Sequence, residues 1–398
     1  MKITAIRTFR VEAHANVLWV HVETDAGITG LGETFYGAAA VEAHIHDTLA
    51  GRLLGRNPLH IEALHKEMLN LPNAQSSTGV EYRACSAIDI ALWDLFGKVA
   101  GQPVHQMLGG LCFDRMRVYN TCAGTRYVST TNIKPVDTWN FGAGGEYEDL
   151  QAFMTDAGAL AENLLENGIT AMKIWPFDPP AMENKGLFIT PEQMKAAIRP
   201  FEQIRKAVGE RMEIMVEFHS LWNLPMARKI ARALEPYDPT WYEDAIRMNS
   251  PQALAEYARS THVWTCASET LGSRYAYKDF LDRDACHVVM ADLCWTGGLT
   301  EGRKIAAMAE TYHRPFAPHD CIGPVGFAAA IHMSFSQPNT LIQESVRAFY
   351  KGWYRDLVTE VPRIEGGYVH PMEGPGLGTE LQPSFFGRTD LSARSSEL

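Results

Sequence analysis

IMVEFH (214–219), TWYED (240–244) and VWTCASE (263–269) decide how this chain folds, because each is a short apolar run carrying an acid at or near its end. Glu217, Glu243 and Glu269 recur at intervals of 26 residues. The pattern continues with Asp292 closing CHVVMAD, His319 closing RPFAPH and Glu344 closing NTLIQE, at further steps of 23, 27 and 25 residues. Such spacing suits one strand and one helix per step, so six consecutive βα units place an acid or a histidine at one edge of a parallel sheet. Side chains alternate along a strand, so VEFHS is expected to turn Glu217 and His219 to one face and Phe218 to the other. A lone acid at a strand end reads as a solvated loop residue or a helix cap. Three in regular succession, followed by aspartate and histidine, read instead as carboxylates converging on a metal, and an all-carboxylate set with water favours Mg²⁺ over Zn²⁺.

Composition narrows the function classes. The 398 residues, 46% of them hydrophobic, leave room for a large barrel and a smaller domain. A net charge of −11 without any Lys/Arg run argues against nucleic acid or an anionic membrane as partner. The first residues, MKITAIRTFRVEA, contain neither an apolar signal core nor a cleavage site, and no apolar stretch approaches spanning length, so a soluble cytoplasmic protein is expected. Seven cysteines without Cys-x-x-Cys spacing fit reduced thiols, with Cys266, Cys286 and Cys294 as packing residues.

The predicted architecture is α/β: a modified (β/α)8 TIM-type barrel with an N-terminal α+β capping domain completed by the C-terminal tail. Residues 2–12 and 17–24 alternate like strands, and TDAGITGLGE reads as a glycine-rich turn. Helical periodicity covers 38–54, 60–69 and 82–100, where Ile88, Ala91, Leu92 and Leu95 share a face. Strand candidates then fall at 116–123, 169–175, 212–219, 240–244, 263–268, 286–292, 315–319 and 340–344. The expected division is a cap at 1–115, a barrel at 116–355 and a closing segment at 356–398. In such barrels the active site lies at the C-terminal strand ends, where the glutamates fall.

GITGLGE, AIDIALWDLFGKVAGQPVHQMLGG, WYED, ASET, DLCWTGGLTE, APHDCIGP and IQE together resemble the enolase superfamily, in its mandelate racemase group, over essentially the whole chain. VEFH with the downstream APH and IQE is most similar to its acid-sugar dehydratases of the galactonate type. The resemblance implies Glu217, Glu243 and Glu269 as Mg²⁺ ligands, an Asp292–His319 dyad, and Glu344 at the substrate. The group's usual first ligand is aspartate, and Glu217 reaches about 1.5 Å further.

The chemistry assigns roles. Removing a proton beside a carboxylate doubles its negative charge, which calls for a cation and a base matched to neutral pH. His319 is expected to be that base, with Asp292 fixing its tautomer, and His219 to protonate a departing β-hydroxyl, giving a 2-keto-3-deoxy acid. Racemases of the group resemble Lys-x-Lys where this chain has Lys173 and Trp175, and tryptophan accepts no proton. Lys173 is therefore expected to bind substrate carboxylate or a metal-bound oxygen, with Trp175 and Asn16 as further substrate contacts. Loops 14–18 and 71–82, with Asn73, Gln75, Ser76 and Ser77, offer hydrogen bonds suited to a polyol. The long segment 126–149 reads equally as a lid carrying Tyr127, Trp139 or Phe141 and as an oligomer contact. The partner is thus a small sugar acid, and capped barrels often assemble as symmetric homo-oligomers. An epimerase, racemase or cycloisomerase using the same enediolate, and a non-catalytic metal- or sugar-acid-binding barrel, are the alternatives.

Overall fold

The computed structural model describes residues 1–70, 79–127, 129 and 145–398; Asn73, Gln75, Ser76, Ser77, Trp139 and Phe141 lie outside the described residues. The N-terminal strands β1 (Ile3–Val11), β2 (Val17–Thr24) and β3 (Thr29–Phe35) form an antiparallel meander. The expected glycine-rich turn is largely strand. Gly30 and Gly32 lie inside β3 because the helix Val80–Ala100 crosses it at backbone contact, and an added Cβ would sit 2.0 Å from the Ala91 carbonyl oxygen or 1.9 Å from that of Ala87. A helix packed this closely needs glycine beneath it.

Eight parallel strands follow: β4 (Met116–Thr121), β5 (Ala171–Ile174), β6 (Glu213–Glu217), β7 (Trp241–Glu243), β8 (Trp264–Ala267), β9 (Val288–Ala291), β10 (Phe316–Pro318) and β11 (Gln343–Ser345). They pair in sequence order. β11 returns to pair with β4, and a Phe316–Thr340 bridge joins β10 to the start of the last stave, so the sheet closes as a barrel. Helices of 8 to 18 residues fill the first seven crossovers, from Asp149–Glu166 to Pro324–Ser336. After β11 the chain makes only a π-turn (Phe349–Trp353) and the short helix Tyr354–Leu357. The hairpin β12 (Ile364–Glu365) and β13 (Tyr368–Val369) then pairs antiparallel with β4. Finally β14 (Leu391–Glu397) runs antiparallel to β1, so the tail closes the N-terminal sheet. Its sequence, LSARSSE, is mostly exposed and shows no alternation to read.

The helix Pro324–Ser336 is buried along its entire length, because the barrel covers one side and the cap and tail cover the other. A predominantly apolar helix is the consequence, with His332, Ser334 and Ser336 as its buried polar residues. Glu33 of β3 accepts the Gly326 and Val325 N–H groups at 2.9 and 3.2 Å, seating the cap on that helix's N-terminus. A second clamp holds the loop after β9: Ser86 Oγ accepts from Gly297 and Gly298, Asp89 Oδ2 from the Thr300 N–H, and Trp93 Nε1 donates to Thr300 Oγ1. Both clamps lie beside loops that carry expected site residues, Asp292 and His319. No helix among the described residues is long and apolar enough to cross a membrane, and the cysteines are free thiols.

Gly298 has φ +78°, and an added Cβ would lie 2.6 Å from that of Asp89. Gly298→Ala is expected to destabilise the fold by about 1–3 kcal/mol from backbone strain alone, with the clash added. The measurement is the urea midpoint, which should fall.

Candidate active site

The barrel interior is a layer of Tyr119, Ala171, Met215, Trp241, Cys266, Val288, Met290, Ala317 and Ile342. Side chains two positions further along a strand share its face. That rule turns Thr121, Lys173, Glu217, Glu243, Asp292, His319 and Glu344 to the barrel mouth, above Tyr119, Ala171, Met215, Trp241, Met290, Ala317 and Ile342. Glu269 departs from it. Glu217 and Glu243 are register partners, but Glu243 pairs with Cys266, so Glu269 stands three residues beyond that level, outside β8. Equal spacing in sequence conceals this stagger.

Lys173 organises the floor. Its ammonium lies 2.6 Å from Glu243 Oε1, 2.8 Å from Glu344 Oε1 and 3.8 Å from Glu217 Oε2, all fully buried. Burial alone would lower its pKa, but Glu243 and Glu344 hold it well above the usual lysine value. Burial pulls Glu344 upward, and Lys173 with His319 more than offsets that, so it stays an anion. It also accepts from Thr121 Oγ1 and, at 2.9 Å, from the Asp320 N–H. Glu243 completes its bonds with Trp241 Nε1 at 2.9 Å, yet burial and neighbouring Glu217 leave its carboxyl well above the normal range.

Two imidazoles face the cavity, each with an aspartate behind it. His319 Nδ1 lies 2.6 Å from Asp292 Oδ2, and its Nε2 is 2.6 Å from Glu269 Oε2. Burial would lower its pKa, but Glu344 and Glu269 raise it well above the usual value. Burial would raise Glu269, but the His319 imidazole holds it at about 2. His219 Nδ1 lies 2.7 Å from Asp178 Oδ2; burial would lower its pKa and Asp178 pushes it up to about 10.

The expected strand alternation at His219 is corrected. β6 ends at Glu217, and His219 and Ser220 have φ of 46° and 59°. The chain turns sharply because Glu217 Oε1 accepts the His219 N–H at 2.5 Å and the Asp244 carbonyl accepts the Ser220 N–H at 2.7 Å. The imidazole reaches the same cavity by this route. Positive φ recurs just past β3 at Tyr36 and past β7 at Asp244.

The cavity, about 80 Å³, is bounded by Lys173, Glu217, Glu269, Glu344 and both histidines, with aromatic walls from Tyr36, Tyr127, Trp175 and Trp295. Trp175 packs edge-on to His219 at 5.9 Å and against Tyr127 at 5.4 Å, and its buried Nε1 has no hydrogen-bond partner among the described residues. Asn16 is buried in an adjacent hollow with His14, Phe35 and Trp353; Tyr127 lines both spaces. Glu243 and Asp292 stand behind the cavity surface. Sequence reasoning missed Asp178, which precedes Pro179-Pro180 and reads locally as an acid opening a helix. It also missed Arg83 from the cap, 5.1 Å over the Trp295 ring.

Residues 4–109 match the mandelate racemase/muconate lactonizing enzyme N-terminal domain, and 156–385 match the enolase C-terminal domain-like family. The chain belongs to the enolase superfamily. An enolase of the mandelate racemase subgroup from Agrobacterium tumefaciens shares its structure with a TM-score of 0.89 and 47% identity, over 100% of this chain and 99% of that one. A D-galactonate dehydratase from Ralstonia pickettii is 32% identical, over 96% of this chain and 92% of its own. Another from Xanthomonas euvesicatoria is 30% identical, over 98% and 94%.

Members of the superfamily typically use Mg²⁺. The donor set suits a hard divalent cation: Glu217, Glu243 and Glu269 come from neighbouring staves, and Glu217 Oε2 is a buried oxygen without a hydrogen bond among the described residues. Acids outnumber cations around the cavity, and burial raises the carboxyls of Glu217, Asp244 and Asp320. Among the described residues no three acids or imidazoles converge as a ligand cluster. Glu243 is turned to Lys173 and Glu269 to His319.

Lys173→Met would leave Glu243 and Glu344 buried without their ammonium. The expected loss is about 3–5 kcal/mol at neutral pH, read as a lower urea midpoint. The deficit should narrow on acidification, because protonation removes the uncompensated charge.

Proposed function

We propose that this protein is a Mg²⁺-dependent acid-sugar dehydratase that converts an aldonic or related sugar acid into its 2-keto-3-deoxy product. One observation carries the reading: two aspartate-backed imidazoles, His219 after the third stave and His319 after the seventh, flank a cavity floored by Lys173 and glutamates. In an eight-stranded ring these staves are opposite. The likeness to relatives named D-galactonate dehydratase supports the same substrate class.

His319 Nε2 takes the proton from C2, and Asp292 stabilises the imidazolium through Nδ1. Lys173 offers its ammonium to the substrate carboxylate, and Glu344 lies beside the reacting carbon. Glu217, Glu243 and Glu269 would hold Mg²⁺, which supplies Lewis-acid stabilisation of the second negative charge. His219 delivers a proton to the β-hydroxyl as the C3–O bond breaks, and water leaves from the face opposite the lost proton. The enol product tautomerises to the 2-keto acid. The Trp175 Nε1–H, unpartnered among the described residues, is a ready donor for a substrate hydroxyl, with Asn16 beyond it.

Opposed imidazoles also suit epimerisation or cycloisomerisation through the same enediolate. Deuterium entering C2 from solvent without loss of water would favour that reading. A protein that only binds sugar acid would keep its ligand response in His319→Asn.

Incubation of the Mg²⁺-loaded protein with a panel of mono- and diacid sugars should yield a 2-keto-3-deoxy acid from at least one; a blank across the panel overturns the proposal. His319→Asn should lower both exchange at C2 and dehydration by about 10²- to 10⁴-fold. Chelation with EDTA should abolish turnover and lower the thermal midpoint, and added MgCl₂ should restore both.

A further inference from the structure

We infer that Asp178 is a positioning residue for the acid half of the reaction, holding His219 as Asp292 holds His319. The inference rests on the dehydratase reading and adds a residue to it. Two pairs are built alike: each imidazole meets its aspartate through Nδ1 and Oδ2, at 2.7 Å for His219–Asp178 and 2.6 Å for His319–Asp292. Asp178 is 1% exposed and does not line the cavity, whereas His219 does. With Nδ1 committed to Asp178, Nε2 is the ring nitrogen available to substrate. The geometry is also braced elsewhere. Trp175 meets the ring edge-on, and the His219 N–H is bound by Glu217 while its backbone sits in the left-handed region.

A single aspartate on a catalytic histidine fixes tautomer and orientation. Here two such pairs occupy opposite staves, which divides the reaction into separable halves. In the first, the C2–H bond breaks, its proton goes to His319, and its electron pair enters the enediolate. In the second, that pair forms the C2–C3 double bond as C3–O breaks, and the leaving oxygen takes a proton from His219 to become water. Asp178 serves only the second half.

The test is Asp178→Asn, assayed in D₂O with the sugar acid that the wild type dehydrates. Dehydration should fall by about 10²- to 10⁴-fold, with kcat affected more than KM. Deuterium should nevertheless enter C2 of recovered substrate, because the enediolate returns to substrate when the hydroxyl cannot leave. Added to His219→Asn, the substitution should cost nothing further, since Asp178 acts through that ring. Equal loss of exchange and dehydration, unchanged dehydration, or a further loss in the double variant would each overturn the inference. Should Asp178→Asn fail to fold by circular dichroism, Asp178→Ser, which leaves room for water at Nδ1, is judged by the same outcomes. A wild type that dehydrates no sugar acid refutes the parent reading instead.

Discussion

One buried ammonium sets the terms for the barrel mouth. Lys173 meets Glu243 and Glu344 at under 3 Å in a place where isolated charges are strongly disfavoured. The acids there exceed the positive charge that Lys173 and the two imidazoles can supply, so burial raises the carboxyls of Glu243 and Asp244 while the His319 imidazole holds that of Glu269 down. A site with this surplus is stabilised by any arriving cation and is selective for groups that tolerate it. The same surplus raises both imidazoles above a solvated histidine, which in the proposed reaction suits His219 as proton donor, while the acid on His319 Nε2, Glu269, is one of those that would hold Mg²⁺.

The imidazoles are held as firmly as the charges. Each has its Nδ1 on a buried aspartate, and the loops around the His319 pair are gripped by the N-terminal sheet and helix through Glu33, Ser86 and Asp89. The cap therefore does more than cover the barrel. Its glycine-bearing strand lets the helix Val80–Ala100 lie close, and that helix presents the side chains that dock the loop after β9. Stability of the interface and placement of Asp292 are consequences of the same contacts.

Much of this could be read from the chain. Eight apolar runs, six of them ending in an acid or a histidine, located the staves near their observed places, and strand-end position put Lys173, Glu217, Glu243, His319 and Glu344 at one mouth. Other features were illegible for definite reasons. The ITGLGE glycines read as a turn because the helix that requires them is supplied by residues 55 (Gly32 to Ala87) and 61 (Gly30 to Ala91) positions later. β14 has no buried face to impose alternation, and its strand exists through its ladder with β1. Asp178 looks like an ordinary helix-opening acid until β5 and β6 bring it to His219.

The sequence by itself determined which residues line the barrel and in what order they meet its mouth, because alternation and apolar spacing are local properties of a strand. Only the tertiary structure decided their heights and partners: that Glu269 stands three residues past the level of Glu243, that Lys173 takes two glutamates, and that His219 turns back on a left-handed bend to reach Asp178. Stagger between strands and contacts across the ring arise from closing the sheet. No local stretch of sequence carries that closure.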